Sequence, residues 1–123
     1  MFEHHGEPGR GILSCVEFKD IEFQPKRMYF IHGVPKGEVR GKHGHREDRQ
    51  YLTCIKGQIR VKLTTKDSVE ETVLKAGDSI FVDTMTWGEQ EYLTDNAVLL
   101  VLCSTNFDKS EYIYDINEIL NGE

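Results

Sequence analysis

Two histidines one residue apart, His43 and His45, stand in a string with fixed punctuation. It reads Gly37, five residues, His43, one residue, His45, four residues, Gln50, six residues, Gly57. Alternate side chains of a β-strand share a face, so this spacing aims both imidazoles the same way. Neutral imidazoles with pKa near 6.5 suit general acid–base work at neutral pH, worth roughly 100- to 10,000-fold per well-placed group. They are equally good metal ligands when further donors lie close. An isolated His-x-His also occurs on solvated strand edges, so the neighbouring residues decide what the pair does.

The string has the spacing of the first cupin motif, whose residue at position 50 is an acidic metal ligand; here it is Gln50. The second cupin motif, Gly-x5-Pro-x-Gly-x2-His, reads Gly77-x5-Asp83-x-Met85-x2-Gly88, so the third histidine ligand is replaced by Gly88. Two imidazoles and a neutral amide make a poor divalent-cation site. Glu89 is next in sequence, but adjacent strand residues face opposite ways. The expectation is a site with no metal and no cofactor, working by proton transfer.

The elements that must position this pair are short and β-rich. Runs at Ile12–Phe18, Arg27–His32, Gln50–Lys56, Gln58–Leu63, Glu71–Leu74, Ser79–Val82 and Ala97–Cys103 are separated by Gly, Pro or charged turns. Ile59, Val61 and Leu63 alternate with Arg60 and Lys62, a period-2 pattern with one wet face. Lys56-Gly57-Gln58 reads as a tight hairpin, and Thr65–Ser68 and Lys75–Asp78 as longer turns. Ala97–Cys103 is apolar throughout, which predicts a central strand. Tyr112–Leu120 is the one helical pattern, with Ile113, Ile116, Ile119 and Leu120 on one side and Ser110 as its cap. The expected fold is all-β, a cupin-type barrel or jelly roll with a short C-terminal helix. It forms a single domain over 1–123, with residues 1–9, including His4 and His5, as a mobile lead-in.

Composition narrows the partners. The formal net charge of −6 argues against nucleic acid and anionic membrane. Arg40, Lys42, Arg46 and Arg49 gather near the histidines, however, and an acidic chain with one basic cluster suits a small anionic ligand. Met1 to Glu7 has no apolar run of signal-peptide type, and no segment approaches transmembrane length. Cys15, Cys54 and Cys103 are odd in number and lie in apolar runs, as free thiols of a reducing cytoplasm do.

Taken together, these residues resemble the sugar-nucleotide 3,4-ketoisomerases, cupin enzymes acting on dTDP-4-keto-6-deoxyglucose. The resemblance runs from Arg10-Gly11-x-Leu13 through Lys26–Ile31. It continues through Lys36-Gly37-x-x-Arg40-Gly41-x-His43-x-His45-x4-Gln50 and Ala97–Leu102 to Phe107-Asp108-x3-Tyr112-Ile113-x-Asp115. It implies that His43 and His45 move protons between C3 and C4 of the sugar. It also implies that Arg40, Tyr29, Arg27, Gln50, Trp87 and Arg10 bind substrate. Where the family usually reads Trp-His-Glu-Met, this chain reads Trp87-Gly88-Glu89-Gln90.

The implied reaction takes a dTDP-4-keto-6-deoxyhexose to its 3-keto isomer through an enediolate, in deoxysugar synthesis for cell-surface glycans such as lipopolysaccharide. Arg40 and Tyr29 are candidates to stabilise the enediolate oxygens. Arg40 could equally sit in a surface ion pair, and Tyr29 in the core. Arg27 holds either the diphosphate or the framework, and Trp87 either stacks on the ligand or packs. His32 is expected to be structural. The apolar Ile12–Phe18 strand suggests a homodimer. Three other readings compete: a metal-dependent cupin enzyme, a non-catalytic nucleotide-sugar-binding cupin whose catalytic set has decayed at Gly88, and a sugar-nucleotide epimerase.

Overall fold

The computed structural model describes residues 1–122. Alternating apolar residues on short strands need a second sheet to bury against, and the chain answers with two. One sheet has four strands, in spatial order β3 (Arg27–Ile31), β10 (Val98–Cys103), β5 (Gln50–Lys56) and β8 (Ser79–Val82). The other has five, in order β11 (Tyr112–Ile113), β4 (Val39–His45), β9 (Trp87–Tyr92), β6 (Gln58–Thr64) and β7 (Val69–Lys75). Every strand pairing described within these two sheets is antiparallel. Leu52, Cys54, Leu99 and Val101 of the first sheet meet Ile59, Val61, Leu74 and Tyr92 of the second in one core. This is the expected all-β jelly roll, and the apolar run at 98–103 is an interior strand of its sheet, between β3 and β5.

Three local expectations give way to tertiary structure. Lys56-Gly57-Gln58 is not a hairpin, because β5 and β6 belong to different sheets. Gly57 carries the chain between them with φ +76°, and a Cβ there would run into Thr94 Oγ1 and lie 2.8 Å from Ala97 Cα. The helix begins four residues later than its pattern suggests. Tyr112 and Ile113 pair with His45 and Gly44 as β11, and only Ile116–Leu120 coils as α1, capped by Asp115. Ser110 lies in a preceding 3-10 turn, where its N–H donates to Asp108. Residues 3–7 form β1 (Glu3–Glu7), which pairs with β2 (Gly11–Cys15) as a two-stranded ribbon.

The second, smaller apolar cluster fixes the C-terminal segment. Trp87, Ile113 and Ile119 are buried together, with Met85 and Ile116 against them. Fully burying each such side chain contributes roughly 1.5–3 kcal/mol. Gly44 makes the approach possible, since a Cβ there would sit 2.6 Å from Ile119 Cδ1 and 2.9 Å from Thr86 O. The residue between the two histidines is thus glycine because α1 packs flush on the far face of β4.

Gly57→Ala should lower the folding free energy by about 2–3 kcal/mol, combining left-handed strain with the clash. Urea denaturation of the variant and parent measures this, and equal midpoints would contradict the crossover geometry.

Candidate active site

On a regular strand Arg40 would face away from His43. Between them β4 carries a bulge: Arg40 pairs with Gln90 and Gly41 with Glu89, after which the register shifts and His43 pairs with Gly88. The extra residue returns Arg40, His43 and His45 to one face, shared with Gly88 and Gln90 of β9. Gly41 (φ 89°) and Lys42 (φ 59°) supply the left-handed backbone of the bulge. A second non-glycine left-handed residue, Met85 (φ 57°), sits where the second cupin motif has its glycine, and its N–H donates to His45 O at 2.7 Å.

His45 is 5% exposed. Its Nδ1–H donates to Glu111 Oε2 at 2.5 Å. The other carboxylate oxygen, Glu111 Oε1, accepts the backbone N–H groups of Glu47 (3.1 Å) and Asp48 (2.9 Å). A carboxylate filled by donors on one oxygen must accept on the other, so the Nδ1 of His45 carries the hydrogen and Nε2 keeps its lone pair. This tautomer is assigned from the network. The lone pair faces the interior space next to Gln50, whose Nε2 is 3.5 Å away.

Gln50 is held in turn. Its amide donates to Asp48 Oδ2 at 2.9 Å, and the other oxygen of that buried carboxylate takes Ser104 Oγ–H (3.2 Å) and Thr105 N–H (3.0 Å). Burial, before any charge, raises the Tyr29 phenol well above its ordinary value, and it raises Tyr112 as well. Both are therefore neutral hydrogen-bond donors at pH 7. Burial likewise pushes the Cys103 thiol up to about 12, so it stays an unreactive thiol.

His43 stands edge-on to His45 with ring centres 5.0 Å apart, and Tyr112 touches both rings at 5.1 and 4.4 Å. Burial lowers the pKa of His43, with a smaller push the same way from the neighbouring imidazole; a backbone hydrogen bond at Gly41, larger than the imidazole's effect, and Glu111 oppose it without cancelling it. The pair encloses a space of about 20 Å³ lined also by Gln50, Thr86, Gly88 and Gln90. That admits about one water. A Cβ at Gly88 would make ordinary contacts of 3.6 and 3.8 Å, so glycine there leaves open room beside the imidazoles.

The other candidates divide. The Arg27 guanidinium lies 4.7 Å over the Tyr29 ring and 5.2 Å over Phe107. This makes it part of the wall behind the histidines. Arg40 is exposed and does not line this space. Trp87 is turned away, packed beneath α1, because the residue preceding Gly88 must face the opposite side of β9. Arg10 lies in the turn after β1, its N–H donating to Glu7 O, on the ribbon rather than in the cavity. His32 is exposed beside Phe30, with ring centres 5.5 Å apart. Sequence reasoning missed Glu111, Asp48 and Gln90 as members of the site. Asp48 is the near-sequence signal, an acid two residues before Gln50. Glu111 is separated from His45 by 66 residues and has no local signature.

The set does not fit the usual cupin metal. Gln50 turns an N–H toward His45 Nε2, Gly88 offers no donor, and Glu89 lies on the opposite face near Arg60 and Lys62. Among the described residues no group of three His, Cys, Asp or Glu donors gathers here.

The chain matches the family described as "FdtA: WxcM-like, C-terminal" over residues 1–122. It is 33% identical over 106 residues to a TDP-4-oxo-6-deoxy-alpha-D-glucose-3,4-oxoisomerase of Aneurinibacillus thermoaerophilus, covering 85% of this chain and 76% of that one. It is similar in structure to QdtA, a sugar 3,4-ketoisomerase of Thermoanaerobacterium thermosaccharolyticum solved in complex with TDP. The TM-score is 0.90 at 29% identity, over 98% of this chain and 89% of that chain. A 3,4-ketoisomerase of Helicobacter canadensis superposes with TM-score 0.89 at 30% identity, over 98% and 92% of the two chains.

The depressed pKa of His43 has a consequence for stability. Below about pH 6.5 the unfolded chain protonates this residue while the folded one does not. The unfolded state then binds more protons, so stability falls on acidification until the lower folded pKa is passed. Denaturation at pH 7.5 and 5.5 should show a smaller loss for His43→Asn than for the parent. An equal loss would mean that His43 is not held neutral by the fold.

Proposed function

As the chain belongs to the FdtA/WxcM-like family, we propose that it is a nucleotide-sugar 3,4-ketoisomerase acting without a metal on a dTDP-4-keto-6-deoxyhexose. The observation that carries the mechanism is the buried Glu111–His45 pair, which presents an unprotonated Nε2 to the cavity. The carbonyl at C4 acidifies the C3–H. His45 Nε2 takes that proton, and the C3–H electron pair becomes the C3=C4 bond of an enediolate, with the negative charge on the C4 oxygen. Glu111 stabilises the imidazolium as it forms. A proton is then delivered to C4 while the O3 proton passes toward O4. The C3 carbonyl forms, and no electron enters or leaves the sugar. His43, neutral and 5.0 Å from His45 between ring centres, is placed to relay these protons, accepting at one nitrogen and donating from the other. Tyr29 and Gln50 are the neutral donors beside the developing oxyanion, and Arg40, exposed on β4 opposite Gln90, supplies positive charge.

This reading accommodates Gly88. The substitution removes a side chain from the cavity but leaves the His45–Glu111 pair intact, which supports a catalytic over a decayed site. The metal-dependent reading lacks its donors. The epimerase reading is separated by the product, since an epimerase returns the same keto position with inverted configuration. A cytoplasmic place in deoxysugar synthesis fits a substrate of this class.

His43→Asn and His45→Asn should each lower kcat by roughly two to four orders of magnitude with the fold retained. Glu111→Gln should do so too, because its amide would donate to Nδ1 and move the hydrogen to Nε2. The assay is NMR of the sugar in D2O, where the parent should place deuterium at C3 or C4, with turnover unaffected by chelator. Near-parental kcat in both histidine variants, or product without solvent deuterium, would refute the proton-transfer roles.

We further propose a homodimer formed through the N-terminal strands. Ile12 and Leu13 of β2 are 75% and 62% exposed, and Met28 and Phe30 add apolar surface on the outer face of β3. Light scattering at micromolar concentration should report twice the chain mass. A monomer across that range would end this proposal.

A further inference from the structure

Gln90 lines the same small space as His43, His45, Gln50 and Gly88. It follows Gly88 by two on β9, so the two positions share one face of the strand. Its side chain folds back toward residue 88, and the carboxamide lies in a slot that two glycines leave. A Cβ at Gly41 would stand 2.8 Å from Oε1 and 3.1 Å from Nε2, and a Cβ at Gly88 would stand 3.6 Å from Nε2. Gly88 pairs directly with His43, so the amide is held next to the strand position of that imidazole. This half-buried group makes no hydrogen bond to any described residue. Gln50 is the contrast, since its amide is committed to Asp48 at 2.9 Å. A carboxamide carries two donor hydrogens and an acceptor oxygen, and polar groups inside a fold are filled by some partner.

We propose that Gln90 is a specificity-determining residue whose amide reads the α-hydroxyketone edge of the sugar. The inference rests on the ketoisomerase reading above, which brings that edge to the imidazoles. A 4-keto sugar with a free 3-hydroxyl presents one acceptor and one donor on neighbouring carbons. A primary amide presents one donor and one acceptor on a single carbon, so the two groups match in pairs. Gln90 Nε2–H donates to the ketone oxygen, and Oε1 accepts from the hydroxyl. The 3-keto product carries the same two groups exchanged, so the amide holds either isomer once its donor and acceptor trade partners. Glutamine neither gains nor loses a proton near pH 7. It therefore orients the sugar and leaves proton movement to the histidines. Glycine at 88 keeps the space beside the amide open.

The test is calorimetric binding of dTDP-4-keto-6-deoxyglucose, its 3-deoxy analogue and TDP to the full-length protein, with His45→Asn in place to stop turnover. The sugar bearing the 3-hydroxyl should bind about tenfold more tightly than the analogue, which leaves the amide oxygen unpaired. Gln90→Met keeps the length and loses both hydrogen-bonding atoms, so it should bind the two sugars alike and TDP as before. Gln90→Glu keeps an acceptor oxygen and should keep the preference for the 3-hydroxyl. In the active enzyme Gln90→Met should raise KM by about tenfold while solvent deuterium still enters the sugar. A preference that survives in Gln90→Met overturns the proposal. Loss of TDP binding in the same variant also overturns it, by making Gln90 a structural residue. Equal binding of the two sugars when Gln90 is present overturns it as well, and leaves the isomerase reading to the NMR assay. If that assay shows no isomerisation but the preference depends on Gln90, the binding role stands and the ketoisomerase reading falls.

Discussion

The hydrogen bond between Glu111 and His45 is the constraint on which the rest of the site depends. A carboxylate and an imidazole, each about 6% exposed, are costly to bury unless each finds its partners. Glu111 meets that demand with three donors, two of them backbone N–H groups in the turn after β4. The bond therefore fixes more than one imidazole. It fixes where the chain must be at residue 111, and so where β11 pairs with β4 and where α1 can lie.

Around that bond the backbone accepts local strain. Lys42 and Met85 both adopt left-handed conformations, which cost roughly 1–2 kcal/mol each for residues with a Cβ. Lys42 turns the bulge that brings Arg40 onto the face of the histidines. Met85 returns the chain so that its N–H reaches His45 O and its side chain packs near Trp87 and α1. Strain at two points beside the same pair of imidazoles, offset by burial on the far face of β4, is the pattern of a preorganised site.

The chemistry divides between the two carboxylates that the fold buries here. Glu111 sets the tautomer of His45. Asp48 sets the direction of the Gln50 amide, so that an N–H and not a carbonyl faces the cavity. At a position where related barrels place an anionic ligand, a fixed N–H dipole disfavours a cation and favours an oxyanion. The replacement of one acid by an amide thus changes what the barrel can hold without changing its shape.

Much of this was legible in the chain itself. The His-x-His spacing, Gln50 and Gly88 fixed the kind of site, because strand periodicity and ligand chemistry are local properties. The apolar alternation of β6 and the run at 98–103 fixed the all-β class. Other features were decided by contacts between distant residues. Gly57 reads like a hairpin turn, but the partners of β5 and β6 lie elsewhere in the sheets. Tyr112 and Ile113 carry a helical pattern, but pairing with β4 draws them into a strand. Trp87 could serve ligand or core until α1 covered it. Glu111, 66 residues from His45, becomes part of the site only when the C-terminal segment folds back. Sequence records what each residue can do, whereas burial and partnership across the chain select which of those capacities is used.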